Sequence, residues 1–299
     1  MSKLIHCSLK PSTLKAYKRS MSLYNEFVKN KLEQHPVFPV SEKNVGLFIT
    51  HLFQIGLQYS TIQGHVTALG YFHKIYSHSD PTQNFFITKL MQGISKQLPA
   101  QDHRRPIDKK VLVSLLSVLP QCAKSNYLSS MFASMFTLSY NVCLRVGEIA
   151  CSNNRDNVIQ LDQLSCVTKG VSTVAYLLKF EDFKHSTDKP TMRINEQKDT
   201  GICPVLSLTS YLKLRGSVEG PLYIFQDKST VRRQHFANIL EKCLTQAGYN
   251  KKDFGTHSFR IGRCTDMANE GFSDAQIKLV GRWKSDAFKR YIRPAVIQL

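Results

Sequence analysis

One polar, proline-bracketed stretch divides this sequence: Leu98-Pro99-Ala100-Gln101-Asp102-His103-Arg104-Arg105-Pro106. Proline lacks a backbone donor and pushes the residue before it out of helical geometry, so no regular helix runs through such a stretch. On its amino-terminal side, from Lys10 to Gln97, apolar residues recur at helical spacing and strand-like alternation is absent. Leu14, Tyr17, Met21, Tyr24, Phe27 and Val28 form the first stripe, and Lys15, Lys18 and Arg19 lie on the opposite face, open to a phosphate backbone. A second helix opens at the cap residue Ser41 and ends near Ile55-Gly56, and Thr61 to Tyr76 and Gln83 to Gln97 supply two more.

Beyond the divide the pattern is mixed. Helical spacing over Asp108 to Leu119 and Ser125 to Tyr140 gives way to three short β-rich runs, Gln163 to Thr168, Thr173 to Phe180 and Thr191 to Ile194. Helices return from Pro204 and include Val231 to Ala247, with Arg232 and Arg233 at its start. The expected fold class is therefore mainly α with a small antiparallel β-sheet. The 299 residues suit two compact domains, here a helical one over 1–98 and an α+β one over 108–299, joined by a linker at 99–107.

Charge narrows the partner. Forty Lys plus Arg against twenty-two Asp plus Glu leave a formal +18, the electrostatic footprint of a nucleic-acid binder. Membrane association is not expected, because the apolar runs fall short of the roughly 20 residues that span a bilayer and the opening residues form no signal-peptide pattern. The eight cysteines are scattered without a CxxC pair, which points to reduced thiols, an intracellular location and no structural metal.

The last forty-odd residues concentrate chemistry. Thr256-His257-Ser258-Phe259-Arg260 reads as a helix start with Thr256 as the cap, and three-residue spacing puts His257 and Arg260 on one face, aimed at one cluster of phosphate oxygens. Gly281-Arg282-Trp283 follows, and then Tyr291 among Lys289, Arg290 and Arg293. A phenol with a reference pKa of about 10 needs such an electropositive, proton-accepting neighbourhood to act as a nucleophile. Upstream, Arg145 sits in an apolar run where a lone guanidinium is costly to bury. Its two readings are a structural pair with Glu148 or, with Arg260, a fork on a phosphodiester. Lys184 falls in the turn between two β-runs, where a solvated lysine is the ordinary reading.

The order Arg145, Lys184, His257-x-x-Arg260, Trp283, Tyr291, with the wording Phe183-Lys184-His185-Ser186 and Gly281 to Arg293, resembles the tyrosine recombinases of the phage-integrase family. The wording is similar to their eukaryotic mobile-element branch, Crypton or DIRS/Ngaro-like, and the resemblance covers nearly the whole chain. It implies a helical core-binding (SAM-like) domain that clamps DNA with the catalytic domain, and a site-specific recombinase or integrase with a 3′-phosphotyrosyl intermediate. Tyr291 is then the nucleophile, Arg145, His257 and Arg260 address the phosphate, Glu148 supports them, and Lys184 protonates the leaving 5′ oxygen, with Lys179 and Lys189 as fallbacks. Many relatives carry histidine where this chain has Trp283, whose indole donates a hydrogen bond but does not titrate.

The implied partner is double-stranded DNA, bound by a homotetramer in the nucleus with no cofactor. Expected DNA contacts are Lys15, Lys18, Arg19, Arg104, Arg105, Arg232, Arg233, Thr256 and Arg282. The rival readings are a type IB topoisomerase-like enzyme and a domesticated, non-catalytic DNA-binding protein.

Overall fold

The structure, a computed structural model, describes residues 8–98, 102–152, 158–181 and 190–293. The chain forms two compact units, Met1–Asp102 and His103–Leu299. The first is helical: α1 (Pro11–Lys31), α2 (Glu42–Gln54), α3 (Tyr59–Ile75) and α4 (Phe85–Gln97). Pro11 opens α1, where its missing N–H costs nothing, and the Ser41 side chain caps α2 by accepting the Asn44 N–H. The apolar stripe of α1 turns inward along its carboxy-terminal half, where Tyr24, Phe27 and Val28 meet Phe48, Ile49 and Leu52 of α2 and Ile62 and Leu69 of α3. Lys15, Lys18 and Arg19 stay exposed on the other face.

The second unit begins with α5 (Lys109–Cys122), capped by Asp108, and α6 (Asn126–Asn141), capped by Ser125. The single turn α7 (Val146–Ile149) follows. Among the described residues one sheet forms, antiparallel in the order β1 (Leu164–Lys169), β2 (Ser172–Lys179), β3 (Thr191–Asn195). The remaining helices are α8 (Pro204–Arg215), α9 (Arg233–Gln246), α10 (Ser258–Asn269) and α11 (Asp274–Gly281), with a 3-10 segment at Asp286–Tyr291. The mainly helical fold with a small antiparallel sheet is as expected from sequence. Among the described residues no helix is long and apolar enough to cross a membrane, and no group of His, Cys, Asp and Glu could hold a metal.

Close backbone packing fixes α10, the helix that carries His257 and Arg260 at its start. The segment before α5 lies against it: Ile107 N–H donates to Ser258 O at 2.9 Å and Arg105 N–H to Asp253 O at 2.7 Å. Gly262 makes this approach possible, because a Cβ there would fall 1.8 Å from the Ile107 carbonyl oxygen. Asp266, one turn on, accepts from the Lys109 N–H at 2.9 Å and from the Tyr140 hydroxyl, so a single carboxylate ties α10 to α5 and α6. A methyl at Gly262 must push backbone apart, whereas Gly64 and Gly93 face open space on α3 and α4. In urea unfolding, Gly262→Ala is expected to lose about 2–3 kcal/mol, and Gly64→Ala and Gly93→Ala to gain about 0.5–1 kcal/mol each.

Candidate active site

The site grows from two helix ends. The last carbonyls of a helix have no intrahelical partner and carry the negative end of its dipole. At the end of α6, Cys143 takes a left-handed conformation (φ 48°), which turns its carbonyl and that of Val142 toward α10 and α11. The Cys143 carbonyl accepts from Arg260 Nη1, and the Val142 carbonyl accepts from Arg282 Nη1 at 3.1 Å. Arg260 Nη2 also donates to the Gly281 carbonyl at 3.2 Å, at the end of α11. Two buried guanidiniums thus satisfy orphan carbonyls of two helices.

Glu148 supplies the countercharge. Its Oε1 accepts from Arg145 Nη1 at 3.2 Å, and its Oε2 accepts from Arg282 Nη2 at 2.8 Å and from the Arg145 backbone N–H at 2.7 Å. The Arg282 side chain is only 4% exposed, against 30% for Arg145. Burial pushes the Arg282 guanidinium below the ordinary arginine range, and Glu148 counters that shift. The aromatic face of Phe180, 4.2 Å from the Arg282 guanidinium carbon, packs on it as well. Arg233 adds a further cation beside this pair, for its guanidinium lies against Gly147, where a Cβ would sit 2.3 Å from Nη2.

Aromatic rings cover Arg260, which has no exposed surface. The Trp283 ring centroid stands 4.4 Å and that of Tyr291 5.5 Å from its guanidinium carbon, and the two rings are 5.2 Å apart. The His257 ring lies 6.3 Å from that of Tyr291. Thr265, two helical turns beyond His257 on α10, clips the tyrosine segment down: its hydroxyl donates to the Tyr291 carbonyl at 3.4 Å and accepts the Arg293 N–H at 3.1 Å. Beneath these groups the Cys143 and Cys264 thiols are buried side by side. A hydrogen bond from Cys264 lowers the Cys143 thiol against the effect of burial, and Arg260, Arg282 and Arg263 add to the pull.

The structure therefore brings His257, Arg260, Trp283 and Tyr291 together, and links Arg145 to them through Glu148, Arg282 and the α6 terminus. Several expectations are corrected. Thr256 does not cap α10: the cap position is His257, because Gly255 and Ser258 close a turn of their own, Gly255 N–H to Ser258 Oγ at 3.0 Å and Ser258 N–H to Gly255 O at 2.9 Å. Arg282, expected at a DNA-facing surface, is an interior residue in this arrangement, held by Glu148 and the Val142 carbonyl. Arg260 is not open to a phosphate in this arrangement, because two rings cover it and its terminal nitrogens hold carbonyls.

Lys184 and the fallback Lys189 lie outside the described residues, while Lys179 is exposed at the end of β2. Arg105 and Arg232 are exposed and Arg104 is half-buried against Gly255. Sequence reasoning missed Thr265, although the i, i+4, i+8 series His257, Ile261, Thr265 marks one helical face. It also missed the thiol pair, whose partners lie 121 positions apart, read as 264 minus 143.

The fold is that of the tyrosine recombinases and integrases. The structure superposes on the Tn1549 transposon integrase in complex with circular intermediate DNA with a TM-score of 0.63 at 13% identity, over 99% of this chain and 94% of that one. It superposes on lambda integrase, solved as a dimer bound to a COC′ core site, with a TM-score of 0.64 at 12% identity, over 97% and 74%. The sequence is 23% identical over 278 residues, 92% of this chain and 84% of the relative, to the tyrosine recombinase XerD of Oceanobacillus iheyensis. No family model matches. The sequence match and the shared fold support the tyrosine recombinase and integrase family, a family of DNA-recombining enzymes.

Removing one partner of a buried ion pair strands the other charge. Glu148→Ala is accordingly expected to lower the unfolding free energy by about 3–5 kcal/mol. Arg145→Ala, which removes a partly exposed partner and leaves the Glu148–Arg282 pair in place, should cost less than about 1 kcal/mol. Urea titrations of both variants check this, and equal losses would refute it.

Proposed function

We propose that the chain is a site-specific DNA recombinase that cuts and rejoins duplex DNA through Tyr291, serving the integration or excision of a mobile element. The observation that carries this reading is the placement of the Tyr291 phenol ring over a buried arginine and beside His257, within the recombinase fold. The +18 charge and the DNA held by both solved relatives support double-stranded DNA as the partner.

In the proposed reaction the Tyr291 oxygen attacks the scissile phosphorus while the phenolic proton passes to His257. The P–O5′ bond breaks, the 5′ oxygen takes a proton, and Lys184 is the proposed donor. The products are a 3′-phosphotyrosyl enzyme and a 5′ hydroxyl. The phosphodiester's bond energy is kept in the new ester, so attack by a 5′ hydroxyl from another duplex reverses the step and joins new strands without ATP. Arg145, the more exposed guanidinium, binds the non-bridging oxygens at the outset, and Arg260 joins it once DNA displaces the rings above it. Two such exchanges on two duplexes need four copies of the chain, a homotetramer. The wording of the carboxy-terminal motifs favours the eukaryotic mobile-element branch, and with it a nuclear location.

The test is a randomised pool of nicked suicide duplexes incubated with the protein in EDTA, with covalent adducts recovered after denaturation and sequenced. We expect an adduct from the wild type and none from Tyr291→Phe. An adduct that persists in Tyr291→Phe removes the nucleophile assignment. No wild-type adduct, with retained binding to the pool, supports a non-catalytic DNA-binding protein instead.

A further inference from the structure

We propose that Arg282 is a positioning residue for Arg145, acting through the Glu148 carboxylate that the two arginines share. The inference rests on the strand-transfer reading and extends it, because it assigns a role to an arginine whose side chain is almost wholly buried against Glu148, the Val142 carbonyl and Phe180.

Three observations carry it. First, the α11 helix ends in a Schellman arrangement, with Arg282 N–H donating to Leu279 O at 3.2 Å and Trp283 N–H to Lys278 O at 3.0 Å. That arrangement needs a left-handed residue, ordinarily glycine, and here Arg282 occupies it at φ 57°, ψ 47°. A strained conformation persists where the surroundings hold it, and the surroundings here are Glu148, the Val142 carbonyl and Phe180.

Second, the contacts divide the carboxylate. Arg282 Nη2 and the Arg145 backbone N–H both engage Oε2, and the Arg145 side chain meets Oε1. A guanidinium and a carboxylate prefer two parallel hydrogen bonds. Without Arg282, the Glu148 carboxylate could turn to make that paired fork with Arg145, which would draw the guanidinium inward and away from a phosphate.

Third, the same turn connects both arginines of the site. Gly281 O accepts from Arg260 and Trp283 covers it, while Arg282 reaches across to Glu148 and so to Arg145. A displacement of this turn changes the two guanidiniums together, and displacement by about 1 Å is enough to cost on the order of 10²-fold in rate.

The experiment measures single-turnover cleavage of a duplex recovered from the randomised pool, at saturating protein. Arg282→Met is expected to cleave about 100-fold more slowly, with the protein concentration for half-maximal adduct changed by less than about 2-fold, since the side chain is almost wholly buried. Adding Arg282→Met to Glu148→Gln should slow cleavage by no more than about 2-fold beyond Glu148→Gln alone, because the two act through one contact. Wild-type rates in Arg282→Met, or losses that multiply in the double variant, overturn the proposal.

If Arg282→Met does not fold, Arg282→Lys is measured in its place. It keeps the charge but cannot bridge Glu148 and Val142 with a planar fork, so a wild-type rate in it overturns the proposal as well. If the wild-type chain forms no adduct, the strand-transfer reading fails separately. The positioning claim is then decided by the Arg145 Nε–Hε signal in 15N spectra, assigned by its loss in Arg145→Lys. That signal is expected to shift in the Arg282 variant, and an unshifted signal sinks the claim.

Discussion

The end of α6 presents carbonyl groups to the interior, and their need for donors organises the second unit. A buried carbonyl without a partner is costly, and a buried cation without a counterpart is costlier. Arg260 and Arg282 meet both needs at once by donating to Cys143 and Val142. Neither arginine comes from α6 or its neighbourhood in sequence, so this contact fixes where α10 and α11 must sit. The tyrosine segment follows, held against α10 by the Thr265 hydroxyl and by the packing of the Tyr291 ring over Arg260.

The two arginines differ in what balances them. Arg282 has a carboxylate, and Arg260 has carbonyl dipoles and the π faces of Trp283 and Tyr291. A cation held by dipoles and ring faces keeps its full charge, whereas one paired with a carboxylate is largely neutralised. Under the strand-transfer reading this division is useful: the uncompensated charge lies under the nucleophile, and the compensated one serves as structure.

Much of this was legible in the sequence. Helical spacing from Leu14 to Val28, the cap at Ser41 and the β-rich runs before Pro190 translate directly into elements, because local propensity and burial agree there. The grouping of His257, Arg260, Trp283 and Tyr291 was legible too, as those residues are close in sequence. What escaped was set by tertiary geometry. Thr256 has the residue type of a cap, but the Gly255–Ser258 turn shifts the helix start by one residue. Arg282 sits between a glycine and a tryptophan in a basic stretch, where nothing local signals burial. Its fate depends on Glu148, 134 residues away. Gly262 carries no chemistry, and its role appears only when Ile107 is seen against it.

Gly281-Arg282-Trp283 is best understood as one unit in which each residue permits the next. The indole folds back over Gly281 so closely that a Cβ there would lie 1.5 Å from Trp283 Cζ3. Any side chain at 281 would therefore expel the ring that covers Arg260. The ring's return over the helix end requires the chain to reverse at Arg282, and the left-handed reversal disfavours a residue with a Cβ by about 1–2 kcal/mol. Glycine at 282 would relieve that strain but would leave Glu148 Oε2 and the Val142 carbonyl each short of a donor. The arrangement accepts strain in the backbone in exchange for satisfied polar groups in the interior, and the exchange is favourable because an unsatisfied buried group costs about as much as the strain or more. Trp283 contributes packing and a cation–π face at this point and no titratable proton. Proton transfer in the proposed reaction therefore falls to His257 and to a donor supplied from elsewhere in the chain.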